Sequence, residues 1–192
     1  MRFIILCCDG FFWKMGRIEV ISLRIREAVL GDVEELVEIS KRTFTQTFGA
    51  GYPPEDLENF LASAYSIERY CAYISDSKSN VWVVASENAL CGYVLAGACS
   101  LPHSEVKPGD GEVIRLYMLQ EYQGCGWGTK LFETALDWLI SSGAAALWLG
   151  VWSENYGAQK LYQRYGFSYA GEYEFIVGNS RDREFIYRKA LL

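Results

Sequence analysis

Seven residues, Gln123-Gly124-Cys125-Gly126-Trp127-Gly128-Thr129, set three glycines between a strand-like segment and a helix-like one, and no other feature limits the fold as much. Residues 112 to 119 read as a strand. Thr129 to Ser142 read as a helix, with Leu131, Phe132, Ala135, Leu136 and Leu139 on one side and Gly143 as its stop. Residues 146 to 152 read as a second strand. A strand, a turn, a helix and a strand in succession imply two neighbouring parallel strands joined by a crossover. The helix then starts at the glycine loop. Glycine permits positive φ and removes the Cβ that would hold a ligand away from the main chain. Free N–H groups and the dipole at a helix start favour an anion. The loop is therefore a candidate cradle for a phosphate-type group. It is neither a P-loop, because no Lys-Ser or Lys-Thr follows the last glycine, nor the six-residue dinucleotide pattern. Taken alone, a plain strand-to-helix turn explains it equally well.

The rest of the chain supplies the partners of this unit. Ser22 to Ala28 alternates as a strand, and Gly31-Asp32 opens a helix with Val33, Leu36, Val37 and Phe44 on one side. The segment Thr43 to Tyr52 leads to Pro53-Pro54-Glu55-Asp56, where proline and acids start a second helix through Leu57, Phe60 and Leu61. A third short helix is expected from about Ser66 to Ile74, then a hairpin of residues 81–86 and 91–101 around Asn88. After the loop from Pro102 to Gly111 and the central unit come a short amphipathic helix ending at Gly166 and two strands, 167–177 and 183–189.

Two motifs in register carry a family resemblance. Gln123, Gly126 and Gly128 match a Gln/Arg-x-x-Gly-x-Gly/Ala signature. Asn155, Tyr162, Gly166 and Phe167 match an Asn, a Tyr seven residues later and a Gly-Phe pair. On these residues the chain resembles the GCN5-related N-acetyltransferases from about Leu23 to its C-terminus. The resemblance implies a single-domain α/β fold over residues 22–192, with a mixed, mostly antiparallel sheet, flanking helices and splayed fourth and fifth strands. Residues 1–21 are then an extension ahead of the domain, with Met15 as an alternative beginning.

The resemblance also implies acetyl-CoA as co-substrate and an amine as acceptor. The pantetheine arm would run along the backbone of Leu116, Tyr117 and Met118. The pyrophosphate would meet Gln123, Gly124, Gly126, Trp127, Gly128 and Thr129, with Asn155 and Ala158 completing the cofactor contacts. Tyr162 stands at the family position of the general acid. A phenol near pKa 10 can protonate a thiolate whose conjugate acid is near roughly 8.5. Glu112 is the candidate base, a role that burial or a bridging water must support in a carboxylate. Without the family match, Tyr162 reads as a core aromatic and Glu112 as a solvated strand end.

A softer similarity, in Thr43 to Phe48 and Leu57 to Tyr65, points to polyamine-type acetyltransferases. Phe44, Phe48, Tyr52, His103 and Tyr173 are candidates for the acceptor pocket, with Glu55, Asp56, Glu58, Glu172 and Glu174 as nearby acids. Such carboxylates beside aromatic rings suit an aliphatic cation. Those at a helix start also have a purely structural use. Acetylation of a protein N-terminus or lysine, and an acyl-CoA-binding regulatory module without turnover, remain as alternatives.

Composition narrows the setting. A length of 192 residues suits one domain, and an apolar fraction of 51% rules out a disordered chain. A net charge of −6 without clustered Lys and Arg argues against nucleic acid as a partner. Six cysteines show no Cys-x-x-Cys spacing and there is a single histidine, so no metal is expected and free thiols in a reducing cytoplasm are. The apolar run at residues 3–8 is too short to span a membrane and Asp9 interrupts it, so no membrane partner is expected. That apolar extension offers a contact for a homodimer.

Overall fold

The computed structural model describes residues 3–4 and 22–191, so nearly all of the expected N-terminal extension lies outside the described residues. The strands are β1 (Phe3–Ile4), β2 (Arg24–Glu27), β3 (Ser79–Ala85), β4 (Leu90–Ala98), β5 (Gly111–Met118), β6 (Ala146–Trp152), β7 (Ser168–Val177) and β8 (Ser180–Ala190). The helices are α1 (Val33–Phe48), α2 (Pro54–Ala64), α3 (Ile67–Ser75), α4 (Trp127–Ser141) and α5 (Tyr156–Arg164). The sheet order is β2-β3-β4-β5-β6-β8-β7, with β1 beside β5. Along that path the β5–β6 pair is parallel and every other pair antiparallel. This is the mixed, mostly antiparallel sheet with flanking helices that the sequence implies.

Burial follows from residue pattern. The middle strands read as near-continuous apolar runs because both faces are covered. Helices α1, α2 and α3 close one face around Leu36, Phe44, Phe60, Tyr70 and Tyr93. Helix α4 lays Gly128, Leu131, Phe132, Ala135, Leu136 and Leu139 on the opposite face, where α5 adds Leu161 and Tyr162. Elements differ from expectation mainly at their ends. Helix α1 continues to Phe48, because Phe48 extends the buried row of Ser40 and Phe44 at i, i+4 spacing. Strand β8 begins at Ser180 rather than Arg183, because Gly178 with φ +55° allows a tight turn out of β7.

The pairing of β4 with β5 is irregular at one point. On β4, Leu95 faces Arg115 and its neighbour Ala96 faces Val113, so Ile114 is an extra residue on β5. A bulge bends its strand and increases the local twist. On the other edge of β5, pairing with β6 covers Gly111, Glu112 and Val113 and ends there, at Val113 opposite Leu149. The two parallel strands form a fork that opens at the bulge.

The far end of β5 is held against β4 by close packing. A Cβ at position 92 would collide with Met118 Sδ and lie 2.7 Å from the Tyr117 carbonyl oxygen. Gly92→Ala is therefore expected to cost about 1–3 kcal/mol of stability through overpacking. Thermal unfolding checks this, and an unchanged Tm would contradict the packing described.

Candidate active site

Because β5 and β6 run parallel, the helices that follow them, α4 and α5, both start at the end of the sheet where the fork opens. Gln123 Nε2 donates to the Met118 carbonyl at 3.0 Å, tying the glycine loop to the tip of β5. Gly124 and Gly126 have φ of +76° and +82°, and Gly126 is the N-cap of α4. These left-handed angles, rather than lack of space, require glycine, since nothing lies within 4 Å of either virtual Cβ. The first helical bond runs from Lys130 N–H to the Gly126 carbonyl at 3.1 Å. The N–H groups of Trp127, Gly128 and Thr129 therefore have no partner in the helix itself. Helices α1, α2 and α3 carry acids in their first turns, whereas α4 and α5 carry none. An anion at the start of α4 thus meets a positive dipole end with no competing carboxylate. Lys130 Nζ adds a cation 4.3 Å from the Trp127 ring centroid.

At the start of α5, Asn155 Oδ1 accepts the Ala158 N–H at 3.1 Å, so both residues take part in a helix cap. Tyr162 is fully buried, with its ring 5.2 Å from Phe132 and 6.4 Å from Phe167. Its hydroxyl has no hydrogen-bond partner among the described residues. Burial pushes this phenol well above the usual tyrosine range, so it holds its proton at neutral pH. A buried hydroxyl left unpaired costs about 1–3 kcal/mol.

The arm of the fork on β5 is partly occupied by the chain itself. Phe3 and Ile4 pair in parallel with Arg115 and Leu116, along the edge expected to meet the pantetheine arm. The opposite edge of Leu116, Tyr117 and Met118 is paired with Val94, Tyr93 and Gly92 of β4.

A second group of residues lies on the face of β6 that carries Trp148, Gly150 and Trp152. Gly150 is the first residue of that face beyond the fork. A Cβ there would come within 3.1 Å of both Glu184 Oε2 and the Tyr173 hydroxyl. The Tyr173 phenol donates to Glu184, which is fully buried, and the Tyr52 phenol donates to Asp182. Burial, then the Asp182 hydrogen bond, raises the Tyr52 phenol. Trp152 meets Phe48 edge-on at 5.6 Å, and Phe48 lies 5.0 Å from Phe44. Phe48, Tyr52, Trp152 and Tyr173 thus stand around Asp182 and Glu184, while Phe44 sits behind them in the core, stacked on Phe60 at 4.7 Å. Glu112 is also fully buried. It is the register partner of Trp148 at the closed end of the fork, and its Oε2 accepts the Ser100 N–H at 2.9 Å.

Other candidate residues are engaged within the protein. The half-buried His103 accepts the Glu105 N–H at Nδ1 at 3.2 Å, its Nε2 is 3.1 Å from the Ala170 carbonyl, and its ring packs 5.2 Å from Trp148. Glu172 and Glu174 pair on the exposed face with Arg183 and Arg181 of the neighbouring strand, at 2.5 Å and 3.8 Å. Asp56 accepts the Asn179 N–H at 3.3 Å, bracing α2 against the β7–β8 turn. The carboxylates that do face the aromatic group, Asp182 and Glu184, escaped the sequence reading. Their signal is phase, since both alternate with Arg181 and Arg183 and fall in step with buried Ile186.

Arg115 fastens α2 and α3 to the bulged strand. It is buried, donates to the Tyr70 hydroxyl and the Ala64 carbonyl at 3.2 Å each, and lies 4.8 Å from the Tyr65 ring centroid.

Residues 33–167 match the model of the Acetyltransferase (GNAT) family. An uncharacterized N-acetyltransferase from the pepI 3' region of Lactobacillus delbrueckii subsp. lactis is 30% identical over 161 residues, 84% of this chain and 93% of the relative. A spermidine N(1)-acetyltransferase of Thermoplasma acidophilum is 26% identical over 146 residues, 76% of this chain and 88% of the relative. Among solved structures, the PaiA N-acetyltransferase of Thermoplasma acidophilum in complex with coenzyme A superposes with a TM-score of 0.71 at 22% identity, over 89% of this chain and all of that one.

Arg115→Ala is expected to destabilise the protein by about 2–4 kcal/mol, because it removes charge-assisted hydrogen bonds and a buried cation–π contact together. Denaturant unfolding measures this, and a loss below about 1 kcal/mol would show that the guanidinium does not organise the tyrosine cluster.

Proposed function

The chain belongs to the acetyltransferase (GNAT) family as an acetyl-CoA-dependent N-acetyltransferase, and from that membership we propose that it acetylates a primary amine of a small, polyamine-like molecule by direct attack. The observation that supports the reading is the fork between β5 and β6, with the acid-free start of α4 at the end of the sheet where it opens and the buried Tyr162 on α5, the other helix that starts at that end.

In this reading the N–H groups at the start of α4 hold the pyrophosphate, which suits any polyanion whatever the side chains. The pantetheine arm runs along β5 at Leu116, Tyr117 and Met118, taking the edge where Phe3 and Ile4 now pair. The amine nitrogen attacks the thioester carbonyl carbon, the C–S bond breaks, and Tyr162 gives its proton to the departing sulfur. Glu112, buried on β5, takes the proton that the ammonium must lose, directly or through a water. The acceptor pocket is bridged by the Tyr52–Asp182 bond and by the Asn179–Asp56 bond, which tie the α1–α2 segment to β8 and the turn before it. A pocket closed in this way favours a small amine over a peptide, and the spermidine N(1)-acetyltransferase among the relatives supports the same preference.

The direct test is release of free CoA thiol from acetyl-CoA with polyamines, amino acids, aminoglycosides and N-terminal peptides supplied separately. Stimulation by aliphatic amines is expected, and stimulation by peptides alone would overturn the acceptor reading. Tyr162→Phe is expected to lower kcat by about 10- to 10⁴-fold with little change in acetyl-CoA affinity. Unchanged turnover would remove Tyr162 from the mechanism. Deleting residues 1–21 is expected to tighten CoA binding by roughly 2- to 10-fold, since a strand pairing of one or two hydrogen bonds no longer competes. Equal affinity by calorimetry would show that the arm and residues 3–4 use different edges.

A further inference from the structure

The mouth of the fork is poor in cations. Between Arg115 and Lys160 the sequence contains one basic residue, Lys130, although this stretch supplies the arm of β5 beyond its pairing with β6, the glycine loop, all of α4 and β6, and the start of α5. Lys130 is exposed, and its Nζ sits 4.3 Å from the ring centroid of the half-buried Trp127. An indole face holds an ammonium through its quadrupole and carries no net charge, so the lysine keeps its full positive charge. The nearest acid on each side in the sequence is engaged elsewhere: Glu121 pairs with Arg42 at 2.7 Å, and Glu133 accepts the Tyr165 phenol at 2.5 Å. Among the described residues Lys130 has no ion-pair partner.

Coenzyme A carries two anionic groups, the pyrophosphate and the 3′-phosphate of its ribose. In the reading above, the N–H groups of Trp127, Gly128 and Thr129, which have no partner within the helix, meet the first. Lys130 cannot add its own N–H to that cradle, because it bonds the Gly126 carbonyl at 3.1 Å. Its side chain leans toward the helix start, as helical side chains do, and lies over the residue three positions back. A side-chain ring stands outside the backbone cylinder, so the ammonium is held at the flank of the cradle and off the helix axis. We infer that Lys130, seated on Trp127, binds the 3′-phosphate and makes this protein discriminate CoA from pantetheine carriers that lack that group. The single cation of the mouth thus meets the one anionic group that main-chain N–H groups leave unmet. A phosphomonoester takes an ammonium as a point charge, with no need for the planar fork of an arginine. The inference rests on the placement of the pyrophosphate at α4 and holds whichever amine is acetylated.

The test is calorimetric and needs no acceptor. It compares Kd for CoA with Kd for dephospho-CoA, which lacks only the 3′-phosphate, in the wild type, Lys130→Met and Lys130→Arg, at low and high salt and with Tm measured alongside. The wild type should bind CoA about 3- to 10-fold more tightly than dephospho-CoA, the range for one exposed charge-assisted contact. Lys130→Met should weaken CoA by that factor and bring the ratio of the two Kd values near one, whereas Lys130→Arg should keep most of the preference because the charge is retained. Added salt should shrink the wild-type ratio and leave that of Lys130→Met where it is. Equal Kd for the two ligands in the wild type overturns the inference and leaves the pyrophosphate cradle standing. A loss in Lys130→Met that both ligands share also overturns it, and assigns the lysine to the pyrophosphate. Failure of both ligands to bind overturns the cradle at α4, and the inference with it.

Discussion

A single extra residue, Ile114, governs this structure. Without it β5 and β6 would pair along their length, every backbone group between them would be satisfied, and the sheet would offer a ligand no edge. With it, pairing stops at Val113, and the parallel course of the two strands brings the starts of α4 and α5 to the mouth of the gap. The rest of the fold holds this opening in shape. Arg115, the residue after the bulge, fastens the strand to α2 and α3. Gln123 ties the loop to the strand's tip, and the absence of a side chain at Gly92 lets β4 approach the strand's end.

Charge is divided between the two sides of the gap. On the side of α4, backbone N–H groups and Lys130 meet no carboxylate in the first helical turn. On the other side, Asp182 and Glu184 of β8 accept the phenols of Tyr52 and Tyr173. In the proposed reaction an anionic carrier enters from one side and a cationic acceptor from the other. The buried phenol of Tyr162 belongs to the α4 side, packed on Phe132 and Phe167, where a departing sulfur would be protonated away from the bulk water.

Much of this was legible in the sequence, for physical reasons that can be named. The glycine loop and α4 are encoded locally, by left-handed angles at Gly124 and Gly126 and by the apolar spacing of Leu131 to Leu139, so their reading transferred directly. The fork did not follow from the residues alone. Ile114 sits in an unbroken run of strand formers, and a bulge depends on which residue the neighbouring strand presents. The surroundings of His103 were not legible because they include a contact with Ala170, 67 positions away in the chain. The acids of β7 were chosen over those of β8 because Phe185, Ile186 and Tyr187 are all apolar and hide the alternation. Only the pairing of Arg183 with Glu172 shows which face of each strand is turned outward.

Backbone hydrogen–deuterium exchange in the presence and absence of acetyl-CoA tests the central claim most directly, because the account assigns cofactor binding to main-chain groups. Acetyl-CoA should slow exchange in peptides covering residues 114–118 and 124–130, the arm of β5 beyond its pairing with β6 and the start of α4, and leave the turn at residues 178–179 unchanged. Tight binding without protection in the first two segments would contradict it and place the cofactor elsewhere on the molecule.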